Sequence, residues 1–170
     1  MIIAILQHTP LWVWALLTGL VALGLIQARD LEISLVRVTI LPLVLISLSF
    51  SGVLSAFGVF PVALGGWLAG VGVALAIGRQ FMVSRGARWS PESGRLHVPG
   101  SWLPLVLILA LFSIKYMAGV MLAMTPALAH DAVFAGLCGL GYGAFSGLFL
   151  ARAVGLRSLA TRGATPSVAA

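Results

Sequence analysis

Runs of about twenty apolar residues alternate along this chain with short segments that hold almost all of its charge, Pro and turn-forming residues. A helix needs about 20 apolar residues to cross the hydrocarbon core of a bilayer, and five runs reach that length. The pattern predicts helices over about 11–28, 38–57, 61–82, 102–124 and 132–151. Their ends carry local signals. Pro10 suits a helix start, and Trp12 and Trp14 suit a membrane interface. Arg29 closes the first run, Gly58 and Pro61 mark a tight turn after the second, Thr125-Pro126 ends the fourth and Arg152 ends the fifth.

The one connection long enough for structure of its own is Ser84 to Ser101. Its centre runs from Arg88-Trp89-Ser90 through Pro91 and Gly94 to Arg95-Leu96-His97-Val98. Pro91 can open a β-turn and Gly94 can supply a positive φ at its close, so a short hairpin is expected, with a loosely folded solvated loop as the alternative. Pro99-Gly100 makes a second turn and Ser101 can cap the next helix. Residues 1–157 form one domain in this reading. The tail, 158–170, carries no apolar face and is expected to be disordered.

Composition fixes the solvent. The 170 residues are 61% apolar and 8% charged, against about 25% charged in soluble domains. The expected class is an all-α membrane protein, a bundle of five transmembrane helices with a short structured cytoplasmic loop. A signal peptide is the rival reading of the first run, but that run has no basic segment before it and no small-residue cleavage site before Arg29. Every arginine falls on one side of the bundle: Arg29 and Arg37, then Arg79, Arg85, Arg88 and Arg95, then Arg152, Arg157 and Arg162. The positive-inside rule makes that side cytoplasmic, with the N-terminus outside and the C-terminus cytoplasmic. The same arginines account for the net charge of +6. They are spread over three juxtamembrane segments rather than gathered in a basic arm, so the partners expected are the bilayer and its anionic lipids, not nucleic acid. The single Cys138 excludes an intrachain disulfide.

Candidate chemistry centres on Lys115, the tenth cation, which lies inside the fourth run. An ammonium at that depth costs at least about 2.5 to 3.5 kcal/mol, so something must offset it. Gly119 and Ala123 share its face at i+4 spacing, and Ser47, Ser51 and Ser55 form an i+4 stripe on the second helix. A rise of about 1.5 Å per residue sets Ser51 level with Lys115. Lys115 is expected against that stripe as a structural cation, as a snorkelling side chain, or as the site of an anionic ligand. The ligand set would be Lys115, Ser47, Ser51 and Tyr116, with Tyr142 at similar depth. In the fifth run, Ala135, Gly139, Gly143, Gly147 and Ala151 repeat at i+4, and Gly66 and Gly70 punctuate the third. These are tight-packing ridges whose partner is either a helix of the same chain or a second copy.

No metal site or cofactor is expected. The nearest approach to a soft ligand set is His8, His130 and the stripe Met117, Met121 and Met124, which points away from Lys115 and reads as packing. No paired intramembrane carboxylates, phosphate loop or His-Glu-x-x-His motif is present. A serine activated by Lys115 lacks any sign of an exposed or strained hydroxyl, so the chain is read as not an enzyme.

Three segments carry a family likeness: Leu6-Gln7-His8-Thr9-Pro10-Leu11-Trp12-Val13-Trp14, Gly52-Val53-Leu54-Ser55-Ala56-Phe57, and Pro99-Gly100-Ser101-Trp102 leading to Phe112, Lys115 and Tyr116. Together they resemble an uncharacterised family of small bacterial multi-spanning membrane proteins, over most of residues 1–152. A looser similarity, resting on the Gly-Ser step into a span, is to the CcdC-like membrane proteins linked with cytochrome c biogenesis. The first resemblance implies an inner-membrane location and a five-span plan and brings no assigned activity. The function expected is that of a non-enzymatic accessory or assembly partner, working with a membrane protein or a second copy of itself. The alternative is a carrier or binding protein for a small anionic or amphipathic ligand at Lys115.

Overall fold

The computed structural model of the chain describes residues 10–81, 86–90 and 94–163. Its elements run α1 (Leu11–Gln27), β1 (Leu31–Ser34), α2 (Leu35–Phe57), α3 (Pro61–Phe81), β2 (Arg88–Ser90), β3 (Arg95–Val98), α4 (Leu103–Met124), a 3-10 turn (Pro126–His130) and α5 (Ala132–Gly163). The protein is mostly helical. Four helices, α2 to α5, are long and apolar enough to cross a membrane, while α1 is a shorter apolar helix of 17 residues.

Helix ends follow the local chemistry. Ser34 caps α2 by accepting from the Arg37 N–H, and Asp131 caps α5 by accepting from the Phe134 N–H at 2.7 Å. Gly58 ends α2 with φ 63°, a left-handed value that a residue without Cβ adopts cheaply. Ser101 Oγ accepts from Leu103 N–H at the start of α4.

Two elements differ from the sequence expectation. The hairpin β2–β3 turns through Gly94, φ 62°, but it is completed by a third strand from the first connection: β1 pairs antiparallel with β3, Leu31 opposite Val98 and Ile33 opposite Leu96. The inward positions Leu96 and Val98 are buried, whereas Arg95 and His97 face out. Arg95 reaches Glu32 diagonally across the strands at 3.9 Å. Helix α5 does not stop at Ala151 but runs to Gly163, through the first part of the segment expected to be a disordered tail. The reason is a short apolar stripe, Ala153, Leu156 and Ala160, that packs under the sheet with Val38, Leu96 and Val98. Residues 164–170, Pro91, Arg85 and the segment before Pro10 lie outside the described residues.

The helices meet through small residues. A Cβ added at Gly139 or Gly143 would strike the backbone of Ala63 or Trp67, and one at Gly66 or Gly70 would strike α5 in return. The glycine ridge of α5 is therefore seated on α3 of the same chain. Without side chains on either ridge, the two backbones approach far more closely than ordinary helix pairs. Helix α1 lies on α4, where Gly24 accommodates Leu105. One main core cluster joins Val53, Phe57, Ala63, Trp67, Ala118, Ala135, Cys138 and Tyr142 from α2 to α5.

Candidate functional site

Two places concentrate polar groups within this apolar framework. The first surrounds Lys115. On α4 the inward stripe passes through Ile108, Leu111, Lys115, Ala118 and Leu122 at alternating three- and four-residue steps. Gly119 and Ala123, expected to share the Lys115 face, are instead exposed. The ammonium sits 4.6 Å from the centroid of the Tyr142 ring. It also fills the notch left at Gly52, where a Cβ would collide with Lys115 Nζ. Among the described residues Lys115 Nζ makes no hydrogen bond or ion pair, so the ring face and the notch are its surroundings. A desolvated cation–π contact is worth about 2 kcal/mol, most of the about 2.5 to 3.5 kcal/mol that the buried charge costs at minimum in a bilayer.

The serines divide differently from the expectation. Ser47, Ser51 and Ser55 are exposed, and Ser51 Oγ donates to the Leu48 carbonyl of its own helix. The buried serine is Ser49. Each residue turns a helix by about 100°, so Ser47 and Ser51 both stand about 200° away from Ser49, on the far face. Ser49 Oγ donates to the Tyr142 carbonyl at 3.1 Å and accepts from Trp67 Nε1 at 3.2 Å. Ser146 Oγ donates to the same carbonyl at 3.0 Å. One node thus ties α2, α3 and α5 together within the core, through the backbone of the residue whose ring carries Lys115. A buried indole N–H needs an acceptor, and Ser49 is the residue that supplies it. It shares the buried face of α2 with Pro42, Val53 and Phe57.

Tyr116 is half-buried and stacks on Phe112, ring centroids 6.1 Å apart. It is one residue, and so about 100°, away from Lys115 on α4. The structure thus brings together Lys115, Tyr142 and Gly52, and sets Ser47 and Ser51 elsewhere. Of the soft-ligand residues, Met117, Met121, Met124 and His130 are exposed, and His8 lies outside the described residues. No group of three or more His, Cys, Asp or Glu side chains is placed to hold a metal ion among the described residues.

The second place is at the sheet end. Arg29, Arg37, Arg88 and Arg95 stand there on strands, a helix start or a connecting segment, and Arg152 and Arg157 on the C-terminal half of α5. A cleft opening to the outside lies between the sheet, α1, α2 and α5. Arg29, Arg37 and Arg152 line it together with Gln27, and its apolar wall includes Leu23 and Phe149. The α1–α4 seam closes beside it through Gly100. The Gly100 N–H donates to Asp30 Oδ1 at 2.7 Å, the Ser101 N–H donates to the Gln27 carbonyl at 3.2 Å, and a Cβ at Gly100 would strike the backbone of Ala28.

No curated protein and no solved structure matches the chain. A family model does, over residues 1–167. That match takes in all five helices, the sheet and both polar places just described, and the chain belongs to the family of unknown function DUF6622.

Proposed function

We propose that the chain is an integral protein of the bacterial inner membrane, crossing it five times with a periplasmic N-terminus and a cytoplasmic sheet end. In this role it acts without catalysis, as an accessory or assembly partner of another membrane component. The membrane reading is supported by the outer faces of the long helices, where Ile40, Leu48, Leu68, Ile77, Val106 and Leu137 are exposed. Contiguous apolar surface on that scale needs a lipid or protein cover. Orientation is supported by the gathering of arginines at the sheet end. Helix α1 supplies the fifth crossing: its 17 residues span about 25 Å, within reach of the hydrocarbon core.

The observation that carries the accessory reading is the internal engagement of Lys115 by the Tyr142 ring and the Gly52 notch. It favours a structural cation over an anion-binding one. The looser likeness to CcdC-like proteins rests on a Gly-Ser step whose packing against Ala28 is sufficient reason for it, so no activity is taken from that quarter.

Native mass spectrometry of the full chain, gently extracted from its own membrane, tests this with wild type and Lys115→Met side by side. The expected result is the same set of masses from both, because Lys115 holds no cargo. A small adduct reproducibly present in wild type and absent from folded Lys115→Met would overturn the accessory reading in favour of a ligand carrier.

A further inference from the structure

The cleft at the sheet end has the composition of a binding site, and its polar groups share one character. An Arg side chain carries only donors, and Arg29, Arg37 and Arg152 contribute three such cations to one cleft. Gln27 adds an amide whose Nε2 is buried without a hydrogen-bond partner. Buried donors left unsatisfied are rare and costly, about 1 to 3 kcal/mol each. The carboxylates nearest in sequence are engaged elsewhere: Asp30 accepts from Gly100 N–H, and Glu32 pairs with Arg95. Neither lines the cleft, and among the described residues none of the three arginines forms an ion pair. Arg152 is only partly exposed, and its backbone is held on α5 between the buried Ala151 and Ala153 beside the cleft.

Convergent cations and an orphan donor favour an anionic acceptor. The apolar wall narrows its class. Leu23, Ile26, Leu41, Phe149 and Leu156 line the same space, more hydrocarbon than a small hydrated anion uses. Guanidinium groups match the geometry of phosphate oxygens through paired N–H donors, and basic pockets between helices at the cytoplasmic membrane surface suit anionic lipid heads.

We propose that this cleft is a specific site for an anionic phospholipid, its phosphate held by Arg29, Arg37, Arg152 and Gln27 and its acyl chain lying along the Leu23–Phe149 wall. The site goes beyond the accessory role and rests on the membrane location and orientation of that reading. It is distinct from Lys115, which lies elsewhere in the bundle. The three-stranded sheet acquires a role through it, because β1 and the Pro99 turn form one side of the cleft. A bound head group would tie the sheet to the end of α1 and to the C-terminal half of α5.

The test uses the full chain, purified in a neutral detergent, stripped of lipid and titrated by native mass spectrometry with phosphatidylglycerol, phosphatidylcholine or inorganic phosphate. Four proteins are compared: wild type, Arg152→Gln, the double variant Arg29→Gln/Arg37→Gln, and a control, Arg88→Gln/Arg157→Gln. The control removes two exposed cations that do not line the cleft. Wild type is expected to bind one phosphatidylglycerol at least tenfold more tightly than phosphatidylcholine or phosphate. Both cleft variants should lose at least fivefold of that affinity, and the control should stay within twofold. Because Arg29 and Arg37 are exposed, the double variant keeps the test valid if Arg152→Gln does not fold. Equal losses in control and cleft variants would overturn the proposal in favour of diffuse surface attraction. Equal binding of both lipids would overturn it as well, and phosphate binding as tightly as phosphatidylglycerol would reassign the cleft to a free anion. A protein that stays dispersed without detergent would instead overturn the membrane reading itself.

Discussion

The close approach of α3 and α5 makes a quantitative demand at Gly143. Intrinsic helix propensity favours Gly143→Ala by about 1 kcal/mol, so a free helix would be stabilised. In the bundle, however, the new Cβ would lie 2.8 Å from the carbonyl carbon of Trp67 and 2.9 Å from its Cα. Carbon atoms settle about 3.5 to 4.0 Å apart, so the two backbones must part by roughly 0.7 Å or more. Neither atom belongs to a flexible side chain that could swing aside. Overpacking of this kind costs about 1 to 3 kcal/mol. The separation also stretches the Ser49 node, since Trp67 Nε1 and the Tyr142 carbonyl bond to it from opposite sides of the seam. The net expectation is a loss of about 1 to 3 kcal/mol. Gly72 is the internal control, on the same α3 helix but with nothing within 4 Å of an added Cβ. Gly72→Ala should be neutral or gain up to about 1 kcal/mol. Reversible unfolding of both variants and wild type in one mixed-detergent series gives the comparison. Equal stability of Gly143→Ala and Gly72→Ala would refute the backbone-to-backbone seam.

The polar contacts make demands of their own. Ser49→Ala removes the acceptor of the buried Trp67 indole and should cost about 1 to 3 kcal/mol, whereas Ser51→Ala, on the exposed face, should change stability by less than about 0.5 kcal/mol; the same unfolding series separates them, and equal effects would refute the assignment of faces. Gly100→Ala pushes against Ala28 backbone and should loosen the sheet before the helices, read as faster amide exchange in β1 and β3 with α3 and α5 unchanged. Lys115→Met exchanges a cation–π contact of about 2 kcal/mol for relief of a desolvation cost that is larger in a bilayer, so its thermal midpoint in lipid nanodiscs should not fall below that of wild type; a drop of several degrees would show that Lys115 has a stronger partner than the Tyr142 ring.

Apart from the C-terminal end of α5, helix limits were legible in the sequence to within a few residues, because the lengths of the apolar runs and the charges, Gly and Pro that bound them are local. Rotational phase was not. On α2 the residues flanking Ser49 and Ser51 are apolar all round the helix, so nothing in the period distinguishes the buried serine from the exposed ones. The same ambiguity sent Lys115 toward Gly119 rather than Ala118. Phase is fixed by the partner helix, and on α5 the packing face could be read, though not its partner, since small residues at every fourth position from Ala135 to Ala151 mark a face by shape. Strand β1 was hidden for another reason. Leu31-Glu32-Ile33-Ser34 alternates, yet four residues form a strand only with a neighbour, and that neighbour, β3, arrives from a distant part of the chain. The extension of α5 past Arg152 has the same origin: Leu156 and Ala160 acquire an apolar face only once the sheet is there to meet it.

The proposed orientation, with the sheet on the cytoplasmic side of a membrane-spanning bundle, is tested most directly by cysteine accessibility. In a Cys138→Ala background, His97→Cys marks the exposed face of β3 and Ala127→Cys marks the exposed 3-10 turn at the opposite end. The reagent is a membrane-impermeant maleimide added to cells whose outer membrane alone has been opened. Ala127→Cys should label at once, and His97→Cys only after the inner membrane is broken. The reverse pattern would contradict the orientation, and labelling of both from the same side would contradict the crossing of α4 and with it the five-span bundle.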